Sequence, residues 1–102
     1  MFFRIQNPNI TLEQMQNFSS EDGGDGLGSL GGVCACESVS DLINNTAFTT
    51  KYDLEVVVFR GEKVCDIYDG VRVVPSEIVD RISAKDFYAM SGDSDSVIYE
   101  YE

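Results

Sequence analysis

Apolar positions along the chain fall into short blocks whose spacing changes from one block to the next. The clearest block is Leu54–Phe59, a nearly unbroken valine-rich run that predicts a strand buried on both faces of a sheet. Five further blocks have the length or the alternation of a strand: Phe2–Ile5, Val33–Cys36, Val64–Tyr68, Val71–Val74 and Val97–Tyr101.

Turn signals separate the central blocks. The polar segment Arg60–Lys63 contains a glycine, Asp69-Gly70 is a typical hairpin pair, and Pro75 follows the last of these blocks. The three segments between Leu54 and Val74 are therefore expected to form an antiparallel meander.

Capping patterns predict the helices. Thr11 is followed three residues later by Gln14, and Ser38 by Asp41, and each pair opens an apolar stripe at helical spacing. The segment Ser76–Met90 fits either the start of a helix or an extended segment with a turn at Ser83–Asp86, and we expect some helix there.

The predicted fold class is α+β, with a mostly antiparallel sheet of five or six strands and two or three short helices. A chain of 102 residues is expected to form one domain, residues 1–102. The segment Ser19–Gly32 carries six glycines and three acids and has no periodicity, which predicts a long flexible loop.

Charge separates this chain from an average domain. Eighteen acids face seven bases, for a formal net charge of −11, and there is no histidine. Such a molecule repels nucleic-acid phosphates and attracts a basic protein surface, although solubility alone is the plain alternative.

The residues that are missing argue against catalysis. Without histidine, neither a Ser-His-Asp nor a Cys-His arrangement can form, and the glycine-rich segment lacks the lysine of a phosphate-binding loop. The three cysteines lack a fourth soft ligand for zinc, so we expect buried thiols, no metal and no cofactor. No secretory signal or apolar run of membrane-spanning length is visible, which favours a cytoplasmic protein without membrane contact.

Acidic residues interleaved with tyrosines form the candidate partner-binding set. Carboxylates spaced along a surface can imitate phosphates and pair with arginine, while tyrosines add contact area. The set comprises Glu21, Asp22, Asp25, Asp66, Asp69, Asp93, Asp95, Tyr99, Glu100, Tyr101 and Glu102. Glu100 and Glu102 are expected to point the same way along a terminal strand.

Three short elements resemble the Arg, Ser-Thr-Ser and Glu-x-Glu motifs of ADP-ribosyltransferase-like domains. They are Arg4 on an early strand, Glu37-Ser38 at a helix start, and Glu100-x-Glu102, and only the single serine of the middle motif is present. The resemblance implies an NAD-binding fold in which Arg4 and Ser38 help to hold the dinucleotide and the last glutamate promotes transfer. The incomplete motif makes an inactive relative the expected form.

In composition the chain also resembles small acidic phage-encoded inhibitors, including anti-CRISPR proteins and nucleic-acid mimics. That resemblance implies a non-enzymatic protein that occupies a basic surface of a protein or ribonucleoprotein, such as a nuclease complex, without binding nucleic acid itself. A third possibility is a self-associating protein in which the Val97–Tyr101 strand pairs with its copy, so both monomer and homodimer are open.

Overall fold

A computed structural model describes residues 1–21, 32–44, 53–68 and 70–102, and only the backbone of residues 18–21. Its elements are, in chain order, β1 (Phe2–Gln6), α1 (Leu12–Glu21), β2 (Val33–Ala35), α2 (Val39–Asn44), β3 (Glu55–Ile67), β4 (Gly70–Ser83), α3 (Ala84–Ser91) and a 3₁₀ helix (Val97–Tyr101).

The described strands form one antiparallel sheet in the order β1-β3-β4-β2. The predicted α+β class is confirmed, but the described residues contain four strands rather than five or six. Two predicted strands are parts of the single strand β3, and the predicted strand Val97–Tyr101 is a 3₁₀ helix. The meander is therefore a long β3–β4 hairpin.

The predicted turn at Arg60–Lys63 is wrong because the hairpin absorbs its irregular residues as bulges. The register shifts between Val58 and Phe59, between Arg60 and Gly61, and between Lys63 and Cys65, without either strand ending. Pro75 does not end β4 because it lies beside one of these shifts, opposite Gly61, where a missing backbone N–H is tolerated.

The two edge strands of the sheet meet. Phe3 and Cys36 form an isolated bridge in which each backbone N–H donates to the other residue's carbonyl oxygen, both at 2.9 Å. β1 pairs with the first residues of β3, whereas β2 pairs with the first residues of β4 at the opposite end of the hairpin. Because bulges bend and twist strands, they account for a hairpin curved enough to bring β1 to β2.

Two apolar clusters cover the two faces of the sheet. Val56 and Val58 belong to one cluster, and Val57 and Phe59 belong to the other, and all four are fully buried. This confirms the prediction of a strand buried on both faces. Residues of α2, α3 and the 3₁₀ helix pack in the first cluster, and α1 contributes Met15 to the second.

Both predicted capping pairs are present. Thr11 and Gln14 exchange backbone-to-side-chain hydrogen bonds of 2.8 and 3.1 Å, and the Ser38 hydroxyl accepts from the Asp41 N–H at 3.1 Å. α1 continues to Glu21, so the first three residues of the predicted loop are helical, and residues 22–31 lie outside the described residues.

The ambiguous segment divides into a strand and a helix. Residues 76–83 are the second half of β4, so a helix beginning at Ser76 is wrong and these residues are extended. The turn expected at Ser83–Asp86 is instead the start of α3, which confirms the expectation of some helix before Met90. The helix begins at Ala84, where the Ser83 side chain accepts from the Asp86 N–H. Within the described ranges, every helix is too short or too polar to cross a membrane.

Candidate binding pocket

A concave site of about 450 Å³ lies between α2 and the tip of the β3–β4 hairpin. Its lining combines carboxylates with an aromatic ring and a few apolar atoms. The lining residues are Glu37, Asp41, Asn44, Asp66, Ile67, Tyr68, Gly70 and Val71. We call this site the acidic pocket.

Local structure explains why these side chains meet. Glu37 directly follows the bridge residue Cys36, and Asp41 lies in the first turn of α2. Tyr68 lies at the hairpin tip, directly after β3, and is fully exposed at 105% of its reference area. Tyr68 thus lines the pocket together with three carboxylates and is also available to a partner.

Gly70 allows β2 and the hairpin tip to approach each other. A Cβ atom at this position would collide with the carbonyl oxygen of Ala35 and lie 3.3 Å from its carbonyl carbon. The backbone of β2 thus passes directly over Gly70, and the absence of a side chain sets the shape of this wall of the pocket.

A bulge places Lys63 beside two of the carboxylates that line the pocket. Residues three apart on a regular strand point to opposite faces, but the register shift between Lys63 and Cys65 inserts one extra residue, so Lys63 and Asp66 share a face. The Lys63 Nζ lies 2.7 Å from the Asp66 Oδ1 and 3.6 Å from the Glu37 Oε1. The hydrogen bond to Asp66 raises the pKa of Lys63, assisted by the charges of Asp66 and Glu37 and opposed by desolvation.

The pocket is negative even when the neighbouring Lys63 is counted. Among the described residues, the three lining carboxylates and the Lys63 ammonium beside them sum to a formal charge of −2. Other basic side chains are committed within the domain: Arg72 is fully buried and donates to the Gly32 carbonyl, Arg81 pairs with Glu55, and Arg4 donates to the Cys34 carbonyl. The negative charge of the chain is thus presented outward while several of its bases serve the fold.

Only part of the predicted partner-binding set can be placed at this pocket. Asp66 lines it. Asp22, Asp25, Asp69 and the side chain of Glu21 lie outside the described residues.

The acids near the carboxyl end lie elsewhere. Asp93 and Asp95 are exposed in the segment that joins α3 to the 3₁₀ helix, where the Asp93 Oδ1 accepts from the Asp95 N–H at 3.0 Å. Glu100 is exposed on the 3₁₀ helix. The prediction that Glu100 and Glu102 point the same way is wrong, because a 3₁₀ helix turns residues two apart to different sides.

The two tyrosines and the last glutamate of the predicted set are bonded to the domain itself. The hydroxyl of Tyr99 donates to the Ser91 carbonyl at 2.5 Å, and that of Tyr101 donates to the Asp80 carboxylate at 2.7 Å. This hydrogen bond, with burial and the charges of Asp80 and Glu100, raises the pKa of Tyr101. The Glu102 Oε1 accepts from the Val39 N–H at 2.6 Å, at the start of α2.

The three elements that resemble transferase motifs are likewise engaged in structural contacts. The Arg4 guanidinium donates to the Gln6 side chain and the Cys34 carbonyl, and the Ser38 hydroxyl accepts from the Asp41 N–H. The Glu102 carboxylate accepts from the Val39 N–H. No described group of three or more His, Cys, Asp or Glu side chains is arranged to hold a metal ion. The three cysteines, all within the described residues, are thiols, of which Cys36 is buried and Cys34 and Cys65 are half-buried.

Sequence reasoning missed the acidic and aromatic lining residues other than Asp66: Glu37, Asp41 and Tyr68. Signals for two of them were present, since Asp41 belongs to a capping pair and Tyr68 precedes a hairpin turn. The convergence of α2 on the hairpin tip has no local signature, because it depends on the curvature of the sheet. Comparison of the chain with family models, curated proteins and solved structures found no match.

Proposed function

We propose that this protein is a binding protein that takes basic side chains of a partner protein into the acidic pocket. The observation that carries the proposal is the group of three carboxylates around a concave site beside the fully exposed ring of Tyr68. The net charge of −11 supports the same kind of partner.

The lining suits an arginine or lysine side chain. A guanidinium presents a planar set of donors that a carboxylate accepts in pairs, and an aromatic face attracts a cation lying over it. Asn44 and the apolar atoms of Ile67 and Val71 complete the wall, where the methylene groups of such a side chain would pack.

Basic surfaces that attract this pocket are also those that hold nucleic-acid phosphates. The protein would then compete with nucleic acid for its partner, as an inhibitor of a nucleic-acid-binding protein or of a CRISPR-type nuclease complex. Composition and charge support this narrower proposal. Association should be fast and should weaken as salt screens the charges, over a distance of about 8–10 Å at physiological ionic strength.

The test uses a fluorescently labelled arginine-rich peptide, with binding measured by anisotropy at low and high salt. The pocket variant carries Glu37→Gln, Asp41→Asn and Asp66→Asn. The control variant neutralises three exposed acids outside the pocket with Asp53→Asn, Glu62→Gln and Glu77→Gln. Each variant removes three of the 18 acids, so both change the net charge equally.

The pocket variant should bind the peptide about ten-fold more weakly than the control variant, since each lost ion pair is worth a factor of roughly 1.5 to 5. A third variant with Asp93→Asn, Asp95→Asn and Glu100→Gln tests the carboxyl-terminal acids predicted from the sequence. Equal weakening in all three variants would show that net charge alone governs binding and would refute a specific pocket.

The two alternatives from the sequence stay predictions and use separate measurements. A calorimetric titration with NAD tests the transferase-like function, and heat from saturable binding would favour it. Light scattering of the purified protein tests self-association. The Val97–Tyr101 segment offers no strand edge for that pairing, because it is a 3₁₀ helix.

A further inference from the structure

The ammonium of Lys63 occupies the position beside Asp66 and Glu37 where a partner's cation would bind. This ammonium lies between Asp66 and Glu37, which are two of the three pocket carboxylates. The third carboxylate, Asp41, lines the pocket and is not paired with Lys63. The contact is open to solvent, because the Lys63 side chain is 39% exposed and the two acids are 53% and 78% exposed. A solvated pair of this kind exchanges easily for another cation of similar geometry.

From this arrangement we infer that Lys63 is an internal competitor for the pocket, displaced when an arginine or lysine side chain of the partner pairs with Glu37 and Asp66. The inference rests on the proposed function and adds to it the residue that sets the affinity. A cation from a partner must replace Lys63 at these two carboxylates or share them with it. Removing the Lys63 charge should therefore strengthen binding.

The bulge makes this competition possible. Without the extra residue between Lys63 and Cys65, the side chains of Lys63 and Asp66 would lie on opposite faces of β3. The bulge thus places the Lys63 ammonium beside the Asp66 carboxylate, which Lys63 would not reach from a regular strand. The internal ammonium should also favour arginine over lysine in the partner, because a guanidinium can pair with the carboxylates in a bidentate way and displace Lys63 more effectively.

Arg60 provides a matched control on the same strand. It is exposed, and it forms no ion pair within the described part of the chain. Lys63→Gln and Arg60→Gln each remove one positive charge, so both raise the long-range attraction for a basic peptide by the same amount. Any difference between the two variants reports the local competition.

The experiment measures the affinity of both variants for the labelled arginine-rich peptide at matched salt. Lys63→Gln should bind about two- to five-fold more tightly than Arg60→Gln, the range expected for one solvent-exposed ion pair. The same comparison in a background of Glu37→Gln and Asp66→Asn should abolish the difference, because Lys63 then has no pocket carboxylate to occupy.

The outcomes separate the two proposals. If the pocket variant loses binding but Lys63→Gln equals Arg60→Gln, the pocket stands and the competition is refuted. If the pocket variant binds as well as its control, the proposed function itself fails. A gain at Lys63 that persists without Glu37 and Asp66 would also overturn the inference, since it would not come from those carboxylates. Circular dichroism of each variant confirms that the fold is retained.

Discussion

Replacing Gly70 by alanine tests whether the close passage of β2 over the hairpin tip is as tight as the structure shows. The new Cβ would collide with the Ala35 carbonyl oxygen, and backbone cannot rotate away as a flexible side chain could. Relief requires β2 to shift from the hairpin, at a typical overpacking cost of about 1–3 kcal/mol. Alanine also reduces the conformational entropy of the unfolded chain, which stabilises the folded protein by roughly 0.4–1 kcal/mol. We therefore expect Gly70→Ala to lower the free energy of unfolding by about 1–2 kcal/mol.

Gly92 provides the control for the same substitution. Its φ of −80° and ψ of −7° suit any residue, and a Cβ there would meet only the Ala89 carbonyl oxygen at 3.6 Å, an ordinary contact. Gly92→Ala should therefore stabilise the protein by about 0.4–1 kcal/mol. Urea unfolding followed by far-ultraviolet circular dichroism measures both variants. Equal stability of the two variants, or a Gly70→Ala protein more stable than wild type, would refute the proposed close approach.

Two further predictions concern contacts made near the carboxyl end of the chain. Folding raises the pKa of Tyr101 above its ordinary value of 10.0, so this contribution to stability is complete below pH 10 and declines as pH rises through the folded pKa. Tyr101→Phe should flatten that alkaline decline in pH-dependent urea unfolding, and an unchanged pH profile would contradict the role of the Asp80 contact. Glu102→Ala leaves the buried Val39 N–H without its acceptor and should lower the free energy of unfolding by about 1 kcal/mol, whereas Glu102→Gln should retain most of it. Thermal unfolding of both variants checks this, and equal losses would show that the hydrogen bond is not the cause.

Elements with a strong local signature were predictable from the sequence. Interactions among neighbouring residues are enough to predict a strand in the Leu54–Phe59 run and the capping pairs Thr11/Gln14 and Ser38/Asp41. The long hairpin was not predictable, because Gly61 and Pro75 are typical of turns and strand ends. Here they are accommodated by register shifts, which depend on the partner strand rather than on local preference.

At the carboxyl end the sequence predicted a strand that the structure does not contain. Alternation in Val97–Tyr101 is typical of a strand, yet the segment forms a short helix because Ile98 is buried in the core while Tyr99 and Tyr101 reach back to Ser91 and Asp80. Tertiary contacts decide the conformation of so short a segment. The acidic character of the candidate site was predictable from composition, but the convergence of its side chains required the curved sheet.

The Phe3–Cys36 bridge has a consequence for how the molecule fluctuates. It joins the two edge strands through one reciprocal pair of hydrogen bonds, whereas Val57 and Val58 lie in long ladders between two strands. Short connections of this kind open more often than central ladders, so the Cys36 amide should exchange its hydrogen with solvent sooner than those of Val57 and Val58. Glu37 follows Cys36 directly, and each opening therefore moves one wall of the acidic pocket. Lys63 already pairs with Glu37 in the free protein, so a partner's cation should slow exchange at Cys36 only if it pairs with Glu37 more tightly than Lys63 does. The Cys36 amide would then report the replacement of Lys63 at the acidic pocket.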